Sequence, residues 1–99
     1  MSSQIFAVWK YPLAIAGRQY VIMPFGYRIL SIVTQHGVPT LYALVNVSGG
    51  IVTKVVIRMV GTGHQYDNEM NGWFYLGTIL TYEDNLVWHV FKEQLDDSL

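Results

Sequence analysis

Apolar and polar residues alternate in short runs separated by turn-forming residues, a pattern of β-strands rather than helices. Ile5-Phe6-Ala7-Val8-Trp9-Lys10-Tyr11 predicts a first strand, stopped by Pro12, whose nitrogen has no hydrogen to give a ladder. Residues 13–16 fit no single state, and Gly17 ends them. Residues 19–23 predict a second strand. Pro24-Phe25-Gly26-Tyr27 then predicts a tight turn, with proline fixing φ and glycine allowing it to be positive. Residues 28–35 and 40–46 flank His36-Gly37-Val38-Pro39 as the clearest hairpin of the chain, and Val47-Ser48-Gly49-Gly50 reads as a loop. Over residues 53–60, Lys54, Val56, Arg58 and Val60 share one face and Val55, Ile57 and Met59 the other, which predicts a half-buried strand with its charges outward. Residues 73–81 and 86–91 predict two more strands joined by a turn at Tyr82-Glu83-Asp84-Asn85, after which the chain is expected to fray.

Short strands separated by frequent turns predict an all-β fold, a compact antiparallel sandwich or partly open barrel of six to seven strands. The expected division is one domain over residues 1–92 and an acidic C-terminal tail over 93–99. A simple up-and-down order would place residues 12–18, 36–39, 61–72 and the C-terminus at one end, gathering Arg18, His36, His64 and Tyr66 there. Residues 24–27, 47–52 and 82–85 would lie at the other end.

Composition narrows the possibilities further. The 99 residues carry a formal net charge of −1, and charged residues make up 13%, about half the usual share. That balance argues against a coat for long nucleic acid and against a polybasic membrane anchor, and no apolar run reaches the length of a spanning helix. The start, Met1-Ser2-Ser3-Gln4, has no basic segment of the kind that opens a signal peptide. The absence of cysteine removes disulfides, thiolate metal sites and cysteine nucleophiles. Residues 1–82 hold five basic against two acidic side chains, and residues 83–99 one against five. Seven Tyr, four Phe and three Trp supply a core, and with so few charges some apolar surface should stay exposed, which implies a homo-oligomer or a partner.

The order of four segments carries a resemblance. These are Trp9-Lys10-Tyr11-Pro12-Leu13; Ile29-Leu30-Ser31-Ile32-Val33-Thr34-Gln35-His36-Gly37-Val38-Pro39-Thr40-Leu41-Tyr42-Ala43-Leu44-Val45; Val60-Gly61-Thr62-Gly63-His64; and Leu86-Val87-Trp88-His89-Val90-Phe91. Together they resemble a family of small phage- and prophage-encoded proteins carried as a domain of unknown function. The resemblance covers nearly the whole chain, leaving out the acidic residues beyond Phe91. It implies a phage gene product acting in the host bacterial cytoplasm, and it brings no catalytic residue.

Gly61-Thr62-Gly63-His64 is the most suggestive segment for chemistry. Two glycines let backbone N–H groups approach an anion, and Thr62 and His64 add side-chain donors, although a bend needing positive φ would use the same residues. It lacks the Gly-Lys-Ser/Thr ending of a phosphate loop, and no helix pattern follows it as a dinucleotide fingerprint requires. Arg58 stands three residues upstream, and His36 ends the third strand. Tyr66 and Trp73 could stack on a flat ring while Arg18 and Arg58 hold a phosphate, although tryptophans more often fill a core. The histidine spacing matches no metal site, no serine stands in a nucleophile elbow, and adjacent Glu83 and Asp84 diverge in a strand or turn.

The expectation is therefore a protein that is not an enzyme and has no cofactor. It would bind a small phosphate-bearing, nucleotide-type ligand to counter host defence, through Arg18, His36, Arg58, Gly61, Thr62, Gly63, His64, Tyr66 and Trp73. The alternative is a protein-interaction module that inhibits or recruits a host protein, or a small virion or assembly component.

Overall fold

A computed structural model describes residues 3–81 and 85–98. The predicted turn at Tyr82-Glu83-Asp84-Asn85 falls mostly on residues 82–84, outside the described ones, as do Met1 and Ser2. The strands are β1 (Phe6–Pro12), β2 (Arg18–Pro24), β3 (Arg28–Gln35), β4 (Val38–Asn46), β5 (Val52–Gly61), β6 (Phe74–Thr81), β7 (Leu86–Lys92) and the two-residue β8 (Asp97–Ser98). A short 3-10 turn (Asn68–Gly72) lies between β5 and β6.

These strands form an antiparallel sandwich of two sheets, not closed into a barrel. One sheet has the order β1-β4-β3, the other β2-β5-β7-β6, with β8 pairing β5 beyond the end of β7. The inner faces meet in a core that includes Met23, Leu41, Val45, Val55, Ile57, Met59, Ile79 and Val90, all essentially without solvent contact. Branched and sulfur-containing side chains of this kind suit the interlocked interior of a sandwich.

The up-and-down order does not hold. Only β3–β4 and β6–β7 are hairpins between successive strands, while β1 to β2, β2 to β3 and β4 to β5 each change sheet. Because β7 inserts antiparallel between β5 and β6, the start of β7 lies beside the end of β5, with Gly61 opposite Trp88. Residues 61–64 stay at the end of the fold beside Gly17 and Arg18, as a meander would place them, but residues 86–88 join them there and the C-terminus moves to the other end.

Local geometry explains several boundaries. His36 and Gly37 have φ of 51° and 77°, a two-residue turn of the kind that matches strand twist, so β4 starts at Val38 rather than Thr40. Pro39 lies within the strand, and its carbonyl accepts the Leu13 N–H at 2.8 Å. β3 and β6 each carry a register shift, at Ile29/Ser31 and at Tyr75/Gly77. These two edge strands close one side of the sandwich: Gly77 packs against Ile32, and the Thr34 hydroxyl donates to the Leu80 carbonyl at 2.9 Å.

The C-terminal segment does not fray. The Glu93 N–H donates to the Val56 carbonyl at 2.9 Å, between β7 and β8 along the same side of β5. Asp96 pairs with Lys92 at 2.9 Å and accepts the Tyr27 hydroxyl at 2.7 Å. The segment ends beside Thr53 and Lys54, at the opposite end from residues 61–64. Among the described residues, no helix is long and apolar enough to cross a membrane.

Candidate functional site

Alternation along β5 turns Val55, Ile57 and Met59 into the core and Lys54, Val56, Arg58 and Val60 to the outer face of the four-stranded sheet. That outer face is not simply solvated: Val56 and Val60 are buried on it and Arg58 is largely covered. Strand register supplies the cover. Arg18 lies opposite Arg58 across β2, Phe91 opposite Arg58 across β7, and His89 opposite Val60. One strand further out, Tyr75 lies opposite Phe91 and Thr78 opposite His89.

Two basic side chains directly opposite each other repel, and Glu93 resolves the conflict. Its Oε2 stands 3.1 Å from Arg18 Nε and 3.2 Å from Arg58 Nε. The Arg18 contact is an aligned hydrogen bond; the Arg58 contact is ionic only, and the buried Arg58 Nε–H has no aligned acceptor among the described residues. Arg58 Nη2 also pairs with Glu69 Oε1 at 2.8 Å. Glu69 is placed by the 3-10 turn, whose capping residue Asp67 accepts the Glu69 N–H at 2.9 Å. Arg18 donates to the Tyr20 hydroxyl at 2.8 Å, and hydrogen bonds to Tyr20 and then to Glu93 raise its pKa, keeping it charged.

Aromatic rings line the middle of this face. The Arg58 guanidinium lies 4.4 Å from the centre of the Trp73 ring, a stacking cation–π contact. Tyr66 meets Trp73 edge-on at 5.7 Å, Trp73 meets Phe91 at 6.0 Å, and Phe91 meets Tyr75 at 5.5 Å.

Further along the same face is a hydroxyl and imidazole cluster. Thr62 Oγ1 and His89 Nε2 are 2.8 Å apart, and His89 Nδ1 lies 3.2 Å from Thr78 Oγ1, which also bonds the Tyr75 hydroxyl. Residues 61–64 form a turn, with the His64 N–H donating to the Gly61 carbonyl at 3.2 Å and Gly63 at φ 88°. The His64 ring lies over Gly61 so closely that a Cβ there would come within 3.0 Å of it. Gly63 is thus favoured by its backbone conformation, whereas a Cβ on Gly61 would press only on the exposed His64 ring. Gly61, Thr62, His64, Leu86, Val87 and Trp88 line a cleft of about 420 Å³. The His64 side chain makes no hydrogen bond among the described residues.

Of the nine residues expected from the sequence, Arg18, Arg58, Tyr66 and Trp73 converge in the middle of this face. Gly61, Thr62, Gly63 and His64 lie beyond them, where β5 ends. Arg58 and Thr62 are separated by four strand positions, roughly 13 Å. His36 does not join them: it occupies the β3–β4 turn of the other sheet, in a separate groove with Lys10, Pro12 and Thr40. His89 stands within β7, and its ring reaches Thr62. Sequence reasoning missed Glu69 and Glu93, because both read as solvated charges. It also missed the ladder of Tyr75, Thr78, His89 and Phe91: His89 and Phe91 stand at i, i+2 in β7, but Tyr75 and Thr78 stand three apart in β6 and share a face only through the bulge at Leu76. Among the described residues, no three His, Asp or Glu side chains gather closely enough to hold a metal ion.

The fold and this face define a small two-sheet β-protein with one outer face built of paired charges, rings and hydroxyls. The chain belongs to the family described as Domain of unknown function (DUF7352), whose model matches residues 6–98. The match takes in the acidic C-terminal segment, which the resemblance read from the sequence had left out. No curated protein and no solved structure matches the chain.

Proposed function

We propose that this protein is a non-enzymatic binding protein that holds a small phosphate-bearing, nucleotide-type ligand on the outer face of its four-stranded sheet. The observation that carries this reading is the convergence of Arg18, Arg58, Tyr66 and Trp73 beside the Gly61–His64 turn on one face. Arginine forks suit phosphate oxygens, aromatic rings suit a base, and the roughly 13 Å between Arg58 and Thr62 matches the span of one nucleotide rather than a long polymer. In this reading the chain is phage-encoded, acts in the host bacterial cytoplasm, and sequesters a nucleotide signal of host defence. Isothermal titration with the ribonucleoside monophosphates tests it. Arg58→Ala or His64→Ala should weaken binding at least tenfold, and unchanged affinity in both variants would sink the proposal.

A second reading, association with another copy of this chain, is favoured by the other sheet. Phe6 and Val8 of its edge strand β1 are more than half exposed, and Leu30 and Val33 of β3 add to the apolar surface. Native mass spectrometry distinguishes the two. A discrete oligomer that dissociates in Phe6→Glu/Val8→Glu supports association, and a monomer at micromolar concentration removes it.

A further inference from the structure

The Arg18–Glu93–Arg58 junction has a property that a plain surface ion pair lacks. Two arginines stand directly opposite each other on neighbouring strands, and a single carboxylate oxygen bridges both. That oxygen satisfies Arg18 with an aligned hydrogen bond but leaves the buried Arg58 Nε–H without one. A buried donor without an aligned acceptor is costly, so the site retains a demand that Glu93 does not meet.

A phosphate monoester meets it better. It offers three oxygens and nearly two negative charges in place of one bridging oxygen, enough to face both guanidinium forks at once. The backbone of Glu93 is held independently, through its N–H to the Val56 carbonyl at 2.9 Å. The side chain is one quarter exposed and can swing toward solvent without unpairing that bond.

We propose that Arg18 and Arg58 form an oxyanion receptor closed by the Glu93 carboxylate, which a phosphate monoester opens by displacing that side chain while the strand pairing of Glu93 stays in place. This rests on the ligand reading above and adds its regulation: Glu93 is an internal competitor that sets a threshold, so that only ligands carrying a phosphate group bind appreciably. Carboxylate ligands, with the same charge and geometry as Glu93 itself, gain nothing by the exchange. The same logic separates Glu93 from Glu69, whose side chain is more than half exposed and pairs with the outer edge of Arg58 only.

The test is calorimetric titration of wild type and Glu93→Ala with inorganic phosphate and with AMP, at matched ionic strength. Glu93→Ala should bind both at least tenfold more tightly than wild type, and acetate should bind to Glu93→Ala but not to wild type. If wild type binds AMP and Glu93→Ala binds it equally well, the gate is wrong and the ligand site stands. If neither protein binds AMP or phosphate, both proposals fall. Should Glu93→Ala not fold, carbon-13 spectra of the wild-type carboxylates decide. With added phosphate, the Arg58 Nε–H and the Glu93 Cδ resonances should move together. Movement of Arg58 alone, or of neither, would overturn the displacement.

Discussion

Gly77→Ala probes how the two sheets are joined along β3 and β6. A Cβ on Gly77 would lie well inside 3.0 Å of Ile32 Cγ2, a separation that real Cβ atoms do not show. Ile32 carries that methyl directly on its branched Cβ and is buried, so it cannot simply rotate a flexible end away. The clash is relieved only by separating the strands or forcing Ile32 off its rotamer, which costs about 1–3 kcal/mol as overpacking. For a domain of this length that corresponds to a fall in Tm of roughly 5–20 °C. Urea denaturation of Gly77→Ala, Ile32→Ala and the double variant measures it. Ile32→Ala alone should cost about 2–5 kcal/mol through the cavity it leaves. The double variant should be less destabilised than the two single effects combined, by about 1–2 kcal/mol, because the new methyl fills the space vacated by Ile32. A Gly77→Ala protein as stable as wild type, or strictly additive effects, would refute the close approach of β3 and β6.

Other consequences are open to direct measurement. Burial, then the hydrogen bond to Asp96, raises the Tyr27 pKa, and burial raises that of Tyr11, so both phenols should ionise later than a free tyrosine in an absorbance titration, with Tyr27→Phe removing one late step. Because the folded pKa of Tyr27 lies above the unfolded one, its contribution to stability is complete below about pH 10 and declines as pH rises above that value; stability unchanged between pH 9 and 11.5 in urea melts would contradict this. His36→Gly should change stability by no more than about 1 kcal/mol, toward greater stability, since glycine adopts the positive φ of that turn without strain, and it should leave ligand affinity untouched. Thr62→Val, which keeps shape but loses the bond to His89, should cost about 1 kcal/mol in denaturant melts and weaken nucleotide binding.

The sandwich was legible because alternation is a local signal. β3 matches its predicted span, and β1, β2, β5, β6 and β7 differ by a residue or two at their ends. Strand order was not legible, since nothing local says that β7 inserts between β5 and β6. The outward turn of Arg58 followed from alternation, but its partners did not: Glu69 depends on a 3-10 turn within a polar stretch, and Glu93 on a segment that composition alone describes as solvated. Of the three tryptophans, only Trp88 packs against the core; Trp73 stacks on Arg58, and Trp9 stays partly exposed because the sheets do not cover β1. His36 and His64 both close strands, yet they belong to different sheets, and that separation is decided by the crossovers rather than by either residue's neighbours.

The proposed ligand site is one face of the four-stranded sheet. Nitrogen-15 correlation spectra recorded during titration with AMP test it most directly. Shifts should concentrate at Arg18, Arg58, Thr62, His64, Trp73 and His89, including the Trp73 indole N–H, with the strands β1 and β4 unmoved. Absence of any shift at millimolar AMP, or shifts centred on β1, β3 and β4, would contradict it.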